Sequence, residues 1–413
     1  MISLIISIQV NSQEELKVLF IGNSYTGANS LADKVAQLAD SQGKAMIVQQ
    51  QTPGGMTLSG HAGNPATYTA MHENDWDYVV IQAQSQEPSF PPAQVANDTY
   101  PYAAILADSV RAINPCAEPV FFMTWGRKNG DSVNGQIYPV IATYEGMQWR
   151  LRQSYMEMAY DNDATVAPVG AAWQWIRNNY SGIELYSPDE SHPSVLGTYL
   201  AACVFYSTFY SESPLGSLYL PNGVNAIDAA ALQLAAQNIV VDSLNTWRIG
   251  ANLPTADFSH IVNFEEVTFA AADQGNNIFN YKWEFGDGNS STDVNPVYSY
   301  ATVGTYPVKL TIYDDCNTDT IVNNVVVSSL NSIGDEPVNS VSVFPNPFTT
   351  EICVMSFDEN QSQIELLSIS GTVLHESFFS GKYILPATNL KSVIYFIRIT
   401  GKEKTRIQKL VKR

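Results

Sequence analysis

The strongest constraint on the fold is a change in residue pattern near residue 250. Between residues 16 and 249, short β-branched runs alternate with longer stretches of helical periodicity. Because this alternation builds a parallel sheet covered by helices on both faces, it predicts an α/β domain. The predicted strands are Lys17 to Ile21, Ala45 to Gln50, Tyr78 to Gln82, Val120 to Thr124 and Ala164 to Pro168. The predicted helices are Ser30 to Gln42, Tyr102 to Ile113, Tyr144 to Ala159, His192 to Phe209 and Ala226 to Trp247.

Beyond Pro254 the helical patterns vanish, and short strands with turn residues replace them as far as Ser328. Alternating apolar and polar residues predict a small all-β sandwich in this part. Its predicted strands are Val267 to Ala271, Asn280 to Glu284, Thr305 to Tyr313 and Thr320 to Val327. We therefore expect three domains, at residues 16–249, 250–330 and 331–413, preceded by the short segment 1–15.

Composition restricts the partners of the chain. It has 21 Lys and Arg against 40 Asp and Glu, a net charge of −19 at pH 7. Such a charge repels phosphate backbones and anionic membranes, so nucleic acid is not an expected partner. No apolar run approaches the roughly 20 residues of a membrane span, so no membrane-spanning segment is expected. Basic residues are nevertheless concentrated between Thr400 and Arg413.

The cysteines do not form a recognisable motif. Cys116, Cys203, Cys316 and Cys353 lie far apart, without a C-x-x-C pair or a histidine cluster beside them. This spacing favours neither a zinc site nor a dense disulfide framework. We expect buried or incidental thiols.

Residues 1–15 have the pattern of the end of a secretory signal peptide. An apolar stretch from Met1 to Val10 is followed by the small polar residues Asn11 and Ser12. No basic region precedes the stretch, so an additional strand is the alternative. We expect the chain to be exported.

A serine and a histidine in informative settings point to nucleophilic chemistry. Ser24 lies in residues 20–26 (FIGNSYT), just after the first predicted strand, and His192 lies in residues 189–193 (DESHP). Ligands bind beyond the carboxyl ends of the strands in such sheets, which is where Ser24 falls. A serine nucleophile needs an imidazole to accept its proton and a carboxylate to orient that imidazole. His192 and Asp189 could supply both, although a D-x-x-H string alone also occurs as a helix cap with a surface histidine.

Residues 16–249 resemble the SGNH (GDSL-like) hydrolases, which have a flavodoxin-like α/β fold. The resemblance rests on residues 22–24 (GNS) in place of Gly-Asp-Ser, on residues 54–58 (GGMTL) and on the D-x-x-H-P string. It implies that Ser24 is the nucleophile of an acyl-enzyme, His192 the general base and Asp189 its orienting carboxylate. No metal or other cofactor is implied.

The resemblance also implies an oxyanion hole, in which the N–H groups of Ser24 and Gly55 are two donors. The family has Gly-x-Asn-Asp in its third block, but aligning residues 77–81 (DYVVI) without gaps places Gln86 over the asparagine. Glutamine carries the same amide, so Gln86 could donate a hydrogen bond to the oxyanion. Gln84 could do so if the loop bulges, and the remaining alternative is that neither donates.

Three further residues are expected to contribute to substrate binding. Asn23 replaces the usual aspartate before the nucleophile, keeps its shape and removes a charge. Trp125 and Arg127 follow the fourth predicted strand and are expected at the rim of the site. Aromatic side chains at such a rim could stack on sugar rings.

The two remaining parts resemble accessory domains. Residues 281–288 (YKWEFGDG) and 296–300 (PVYSY) resemble a PKD domain, an immunoglobulin-like module in which Trp283 would fill the core. Residues 341–348 (VSVFPNPF) and 394–399 (IYFIRI), with a basic end, resemble the C-terminal sorting domain of type IX secretion cargo.

These resemblances together imply a secreted or cell-surface esterase, exported through the periplasm of a Gram-negative bacterium by the type IX secretion machinery. The preferred substrate is an acyl ester such as an O-acetyl group on carbohydrate, because PKD modules and this secretion route often accompany glycan-processing enzymes. Lipid ester or thioester hydrolysis is one alternative. The other is a catalytically silent glycan-binding surface protein, in which the altered third block marks a lost oxyanion hole.

Overall fold

A computed structural model describes residues 15–272, 280–328, 341–356, 362–368, 371–391, 394–401 and 405–412. The chain divides into two compact units, one up to residue 328 and one from residue 329. The secretory signal expected in residues 1–15 lies, apart from its last residue, outside the described residues. Within the described part of the chain, no helix has both the length and the apolar character needed to cross a bilayer.

The first unit begins with a five-stranded parallel sheet in the order β2-β1-β3-β4-β5. All five predicted strands are present, with ends shifted by one or two residues, and the predicted α/β class is confirmed. The register pairs Ile21 of β1 with Gln51 of β2 and with Ile81 of β3, so the loops after these strands lie side by side. The strands are β1 Leu16–Ile21, β2 Met46–Gln51, β3 Tyr78–Ile81, β4 Glu118–Phe122 and β5 Thr165–Ala167.

Helices flank this sheet, and α9 is buried along most of its length. It begins after the D-x-x-H string, because the side chain of Ser194 caps it by accepting a hydrogen bond from Gly197 N. The predicted helix from Ala226 is divided: α10 ends at Ile239, and a 3-10 helix follows at Val241–Trp247. The α-helices are α1 Ser24–Gly27, α2 Leu31–Ser41, α3 Leu58–Ala62, α4 Pro65–His72, α5 Pro92–Asp98, α6 Tyr100–Ile113, α7 Tyr144–Asp161, α8 Val169–Asn179, α9 Val195–Tyr210 and α10 Ala226–Ile239.

The rest of the first unit is a β-sandwich with its own core around the fully buried Trp283, which packs against Phe269. Gly286 has a φ of +83°, and a Cβ there would come within 2.8 Å of Pro307, so the turn requires glycine. The two sheets have the strand orders β10-β7-β6 and β12-β11-β8-β9. Their strands are β6 Phe258–Asn263, β7 Glu266–Ala271, β8 Asn280–Glu284, β9 Ser290–Ser291, β10 Val297–Ser299, β11 Gly304–Tyr313 and β12 Thr318–Val327.

The second unit is also all-β, with two antiparallel sheets in the orders β13-β14-β17 and β16-β15-β18-β19. Its core includes Phe348, Ile364 and Ile397. The basic end of the chain contributes β19, which pairs with β18 from Thr405 opposite Thr400 onward. The strands are β13 Val341–Phe344, β14 Glu351–Ser356, β15 Ser362–Leu367, β16 Val373–Phe379, β17 Lys382–Pro386, β18 Ile394–Thr400 and β19 Thr405–Val411.

A disulfide joins the α/β domain to the first β-sandwich. Cys116 and Cys316 are bonded although 200 residues separate them in sequence, so the expectation of thiols is wrong for this pair. Cys203 and Cys353 are free and buried, as expected. Cys116 precedes β4 and therefore lies at the amino edge of the parallel sheet, whereas the loop after β1 lies at the carboxyl edge.

Removing the disulfide is expected to destabilise the first unit. Closing so long a loop restricts the unfolded chain by about 5 kcal/mol in the chain-entropy model, and measured gains are usually smaller. The Cys116→Ser/Cys316→Ser variant should therefore melt about 5 to 10 °C lower in a thermal scan. Cys353→Ala, in the second unit, is the control and should leave this transition in place. An unchanged melting temperature in the double variant would contradict the prediction.

Candidate active site

Ser24 lies at the carboxyl edge of the sheet, where β1 turns into the short helix α1. Asn23 caps that helix, because its side-chain oxygen accepts a hydrogen bond from Tyr25 N at 3.0 Å. Its side-chain nitrogen donates to Met56 O at 3.0 Å, which joins the Ser24 turn to the loop after β2. An aspartate could not make this second bond, so the asparagine supplies a donor. Asn23 is 2% exposed, and its expected contact with substrate stays a prediction.

Gln82, at the end of β3, holds the same turn and was not among the expected site residues. It is fully buried, and its side-chain oxygen accepts hydrogen bonds from Asn23 N and Thr26 Oγ1, both at 2.9 Å. A Cβ on Gly22 would lie 2.6 Å from this oxygen, which explains the glycine. The available sequence signal was a polar residue directly after the buried run Tyr78–Ile81.

His61 is a second residue that the sequence interpretation passed over. It is fully buried, with Nε2 at 2.8 Å from Gly22 O and Nδ1 at 2.9 Å from Thr67 Oγ1. Burial lowers the pKa of His61, while the hydrogen bond to Gly22 partly opposes that shift. A carbonyl oxygen only accepts, so Nε2 carries the proton of the neutral ring and Nδ1 accepts from the threonine hydroxyl. His61 thus fixes the backbone two residues before Ser24.

Ser24, His192 and Asp189 form one hydrogen-bonded chain. Ser24 Oγ lies 2.8 Å from His192 Nε2, and His192 Nδ1 lies 2.5 Å from Asp189 Oδ2. Burial raises the pKa of Asp189, but hydrogen bonds from the His192 ring and from two backbone N–H groups outweigh it and lower the pKa. The Asp189 carboxylate can accept a hydrogen bond from Nδ1–H, and Nε2 then faces the Ser24 hydroxyl as a hydrogen-bond acceptor.

The loop that carries His192 is fixed by contacts with neighbouring residues and is partly exposed to solvent. Glu190 adopts the left-handed conformation, with φ of 61°, and its backbone oxygen accepts from Lys128 N at 2.9 Å. Its side chain accepts a hydrogen bond from Asn129 at 2.9 Å. The side chains of His192 and Asp189 remain 40% and 49% exposed, so a large molecule can approach them.

The backbone N–H groups of Ser24 and Gly55 are the predicted oxyanion donors. Gly55 is exposed and has a φ of +68°, a conformation that favours glycine. Among the described residues, no hydrogen bond is formed by the N–H of Gly55 or by that of Ser24. Both groups are therefore free to donate, as the oxyanion role would require.

The glutamines after β3 have partners inside the protein. The side-chain oxygen of Gln84 accepts hydrogen bonds from the N–H groups of Gln86 and Glu87, at 2.7 and 3.2 Å. The side-chain nitrogen of Gln86 donates to the fully buried Asp131 at 2.5 Å. Within the described residues, no hydrogen bond joins either glutamine side chain to Ser24. Their part in an oxyanion hole therefore stays a prediction.

The rim position expected for Trp125 is not observed. Its indole is 1% exposed and stacks on Tyr25 at 4.8 Å and on Trp173 at 3.9 Å between ring centroids. With both faces covered, the indole cannot stack on a sugar ring. Arg127 is partly exposed, with Nη1 4.0 Å from Asp131 Oδ1, and its substrate contact stays a prediction.

Comparison with protein families identifies the two β parts. The family model described as the PKD domain matches residues 253–328, and the model described as the secretion system C-terminal sorting domain matches residues 342–413. Both resemblances are thereby confirmed. The sorting domain indicates secretion or cell-surface localisation through the type IX system.

Solved structures resemble the α/β domain. A DUF4886 family protein from Bacteroides uniformis is 21% identical with a TM-score of 0.48, over 55% of this chain and 95% of that chain. A protein from Slackia heliotrinireducens, described as a candidate SGNH hydrolase, is 28% identical with a TM-score of 0.39, over 48% and 100% of the two chains. The structural neighbours thus include SGNH hydrolases over about half of this chain.

Among curated proteins, the pre-pro-metalloprotease PrtV of Vibrio cholerae is 35% identical over 72 residues, which are 17% of this chain and 8% of PrtV. The collagenase ColA of Bacillus cereus is 42% identical over 60 residues, which are 14% of this chain and 6% of ColA. The chain therefore spans less than a tenth of the length of these relatives.

The buried His61 predicts a pH-dependent stability. Its pKa is lower in the folded protein than in the unfolded chain, so this contribution to stability is complete above about pH 6.5 and is lost as the pH falls. Below pH 6.5, His61→Gln should reduce the slope of the free energy of unfolding against pH by up to about 1.4 kcal/mol per pH unit, measured by denaturant unfolding. The exposed His72, replaced by glutamine, is the control and should leave the slope unchanged. An unchanged slope in His61→Gln would contradict the assignment.

Proposed function

We propose that this chain is a secreted serine esterase that acts through a Ser24 acyl-enzyme. The observation that carries the proposal is the hydrogen-bonded chain from Ser24 Oγ through His192 to Asp189, beside free N–H groups at the carboxyl edge of the sheet. The N-terminal half also resembles SGNH hydrolase structures.

The reaction proceeds in two steps, acylation of Ser24 and hydrolysis of the acyl-enzyme. Ser24 Oγ attacks the acyl carbon while its proton passes to His192 Nε2, and the N–H groups of Ser24 and Gly55 stabilise the oxyanion. The imidazolium, stabilised by Asp189, then gives its proton to the leaving alcohol. In the second step Nε2 takes a proton from water as the water oxygen attacks the acyl-enzyme. The imidazolium then returns that proton to Ser24 Oγ as the acid is released.

The proposed substrate is a short acyl ester, such as an O-acetyl group, on carbohydrate. Support comes from the 40% and 49% exposure of the His192 and Asp189 side chains, which leaves space for a bulky alcohol. The disulfide that attaches the PKD domain lies at the opposite edge of the sheet from Ser24. Export through the periplasm to the cell surface, directed by the sorting domain, would bring the enzyme to extracellular polysaccharide.

One observation favours a second candidate, a catalytically silent glycan-binding protein. The Gln86 amide, which would complete the oxyanion hole, donates to Asp131. If that bond persists when a substrate is bound, the third donor is missing. Turnover of p-nitrophenyl acetate distinguishes the two candidates, and a series of acylated sugars and nitrophenyl esters then separates carbohydrate esterase from lipid esterase.

Ser24→Ala should lower kcat on p-nitrophenyl acetate by about 10³-fold or more, because the oxyanion donors alone leave little catalysis. Asp189→Asn should also lower kcat, because a neutral amide cannot stabilise the imidazolium that forms on His192. The matched control is Ser181→Ala, which alters an exposed serine outside the site and should retain activity. Circular dichroism checks the fold of each variant. Activity that persists in a folded Ser24→Ala protein would rule out the serine mechanism.

The two glutamines should differ if one of them is an oxyanion donor. Loss of one donor typically reduces kcat by about 10² to 10³ at nearly unchanged KM. We expect this loss in Gln86→Ala, with Gln84→Ala as the comparison that alters the same loop. The reverse result would assign Gln84. Equal and small effects would mean that the N–H groups of Ser24 and Gly55 build the hole without a glutamine.

A further inference from the structure

A second hydrogen bond lies beside the one that joins Ser24 to His192. Ser24 Oγ lies 2.8 Å from His192 Nε2, and Tyr25 Oη lies 2.6 Å from Ser191 Oγ. Tyr25 follows the nucleophile and Ser191 precedes the histidine. The same two chain segments, 166 residues apart in sequence, are therefore joined twice at neighbouring positions.

Ser191 is held by three groups. Its side chain pairs with Tyr25, its carbonyl oxygen accepts from Trp125 Nε1 at 3.0 Å, and its N–H donates to Asp189 Oδ1 at 3.1 Å. Every polar group of this residue thus has a partner, and each partner lies in or next to the catalytic chain. Such contacts restrict the backbone that leads into His192.

Tyr25 itself has little freedom to move. It is 3% exposed, and its ring lies parallel to that of Trp125, with an interplanar angle of 3°. Trp125 in turn stacks on Trp173, with an angle of 5°. The Tyr25 ring also meets His192 edge to face at 5.3 Å. This column of stacked rings gives the phenol hydroxyl a rigid support.

The hydroxyl of Tyr25 is protonated under neutral conditions. Burial raises the pKa of Tyr25, and hydrogen bonds with Ser191 and Ser85 oppose that shift only partly. A neutral phenol can donate to the Ser191 hydroxyl, whereas phenylalanine of the same shape cannot. The Tyr25 side chain therefore contributes a hydrogen bond in addition to its packing in the column.

We propose that Tyr25 and Trp125 are positioning residues. By binding Ser191, they hold His192 at the distance where Nε2 can accept the Ser24 proton. The inference rests on the proposed serine mechanism. Displacement of a catalytic group by about 1 Å can reduce a rate by about 100-fold. Loss of the hydroxyl therefore affects kcat, while substrate binding, in which Tyr25 takes no part, is unchanged.

The test is a double-mutant cycle on p-nitrophenyl acetate. Tyr25→Phe and Ser191→Ala should each reduce kcat by about 10-fold, with KM within twofold. Because both remove the same bond, the double variant should be no slower than the slower single variant. Ser191→Thr restores a hydroxyl and should recover most of the rate.

Tyr199→Phe is the matched control for loss of a buried tyrosine hydroxyl. Tyr199 is fully buried, and its hydroxyl donates to Tyr219 O at 3.0 Å in a different part of the domain. This variant should retain kcat even if its melting temperature falls. A folded Tyr25→Phe protein with kcat within twofold of wild type, or losses that multiply in the double variant, would overturn the proposal.

A second readout separates this proposal from the proposed function. The rate of Ser24 labelling by a fluorophosphonate, followed by intact mass, reports on the nucleophile without an ester substrate. Labelling slowed about 10-fold in Tyr25→Phe supports the positioning role. Wild-type protein that neither labels nor turns over ester overturns the serine mechanism and this inference with it, whereas normal labelling of Tyr25→Phe overturns the inference alone.

Discussion

The site depends on the hydrogen bonds that close the turn between β1 and α1. This turn follows the buried end of β1, Val18 to Ile21, and its backbone polar groups at Gly22 and Asn23 are buried as well. A buried group left without a partner costs about 1 to 3 kcal/mol. Gln82 pairs with Asn23 N, and His61 pairs with Gly22 O. The hydroxyl of Ser24 is presented in one orientation because both sides of the turn are held.

The two edges of the parallel sheet carry different features of the molecule. The carboxyl edge carries the Ser24 turn and the exposed His192 loop, whereas the amino edge carries the Cys116–Cys316 bond to the PKD domain. A disulfide of this kind persists in oxidising surroundings outside the cytosol. It therefore agrees with the secretion that the C-terminal sorting domain indicates. A covalent bond at the amino edge thus attaches the PKD domain to the α/β domain.

The strands and the candidate site residues Ser24 and His192 could be predicted because their signals are local. A buried strand is a short apolar run, and the Ser24 and His192 strings are each read within a few positions of sequence. Gln82 and His61 could not be assigned in this way, since the groups they bind lie 59 and 39 residues away. The burial of Trp125 could not be predicted for the same reason, since it depends on rings from other segments of the chain.

The sequence by itself determined the fold class of each part and the sorting domain, and it predicted Ser24, His192 and Asp189 as the nucleophile, the base and its carboxylate. These follow from periodicity and short motifs, which depend on neighbouring residues. Only the tertiary structure decided which polar side chains support the Ser24 turn, that Cys116 bonds to Cys316, and that Gln86 binds Asp131. Such pairings join groups far apart in the chain, and their geometry exists only once the strands have packed in register.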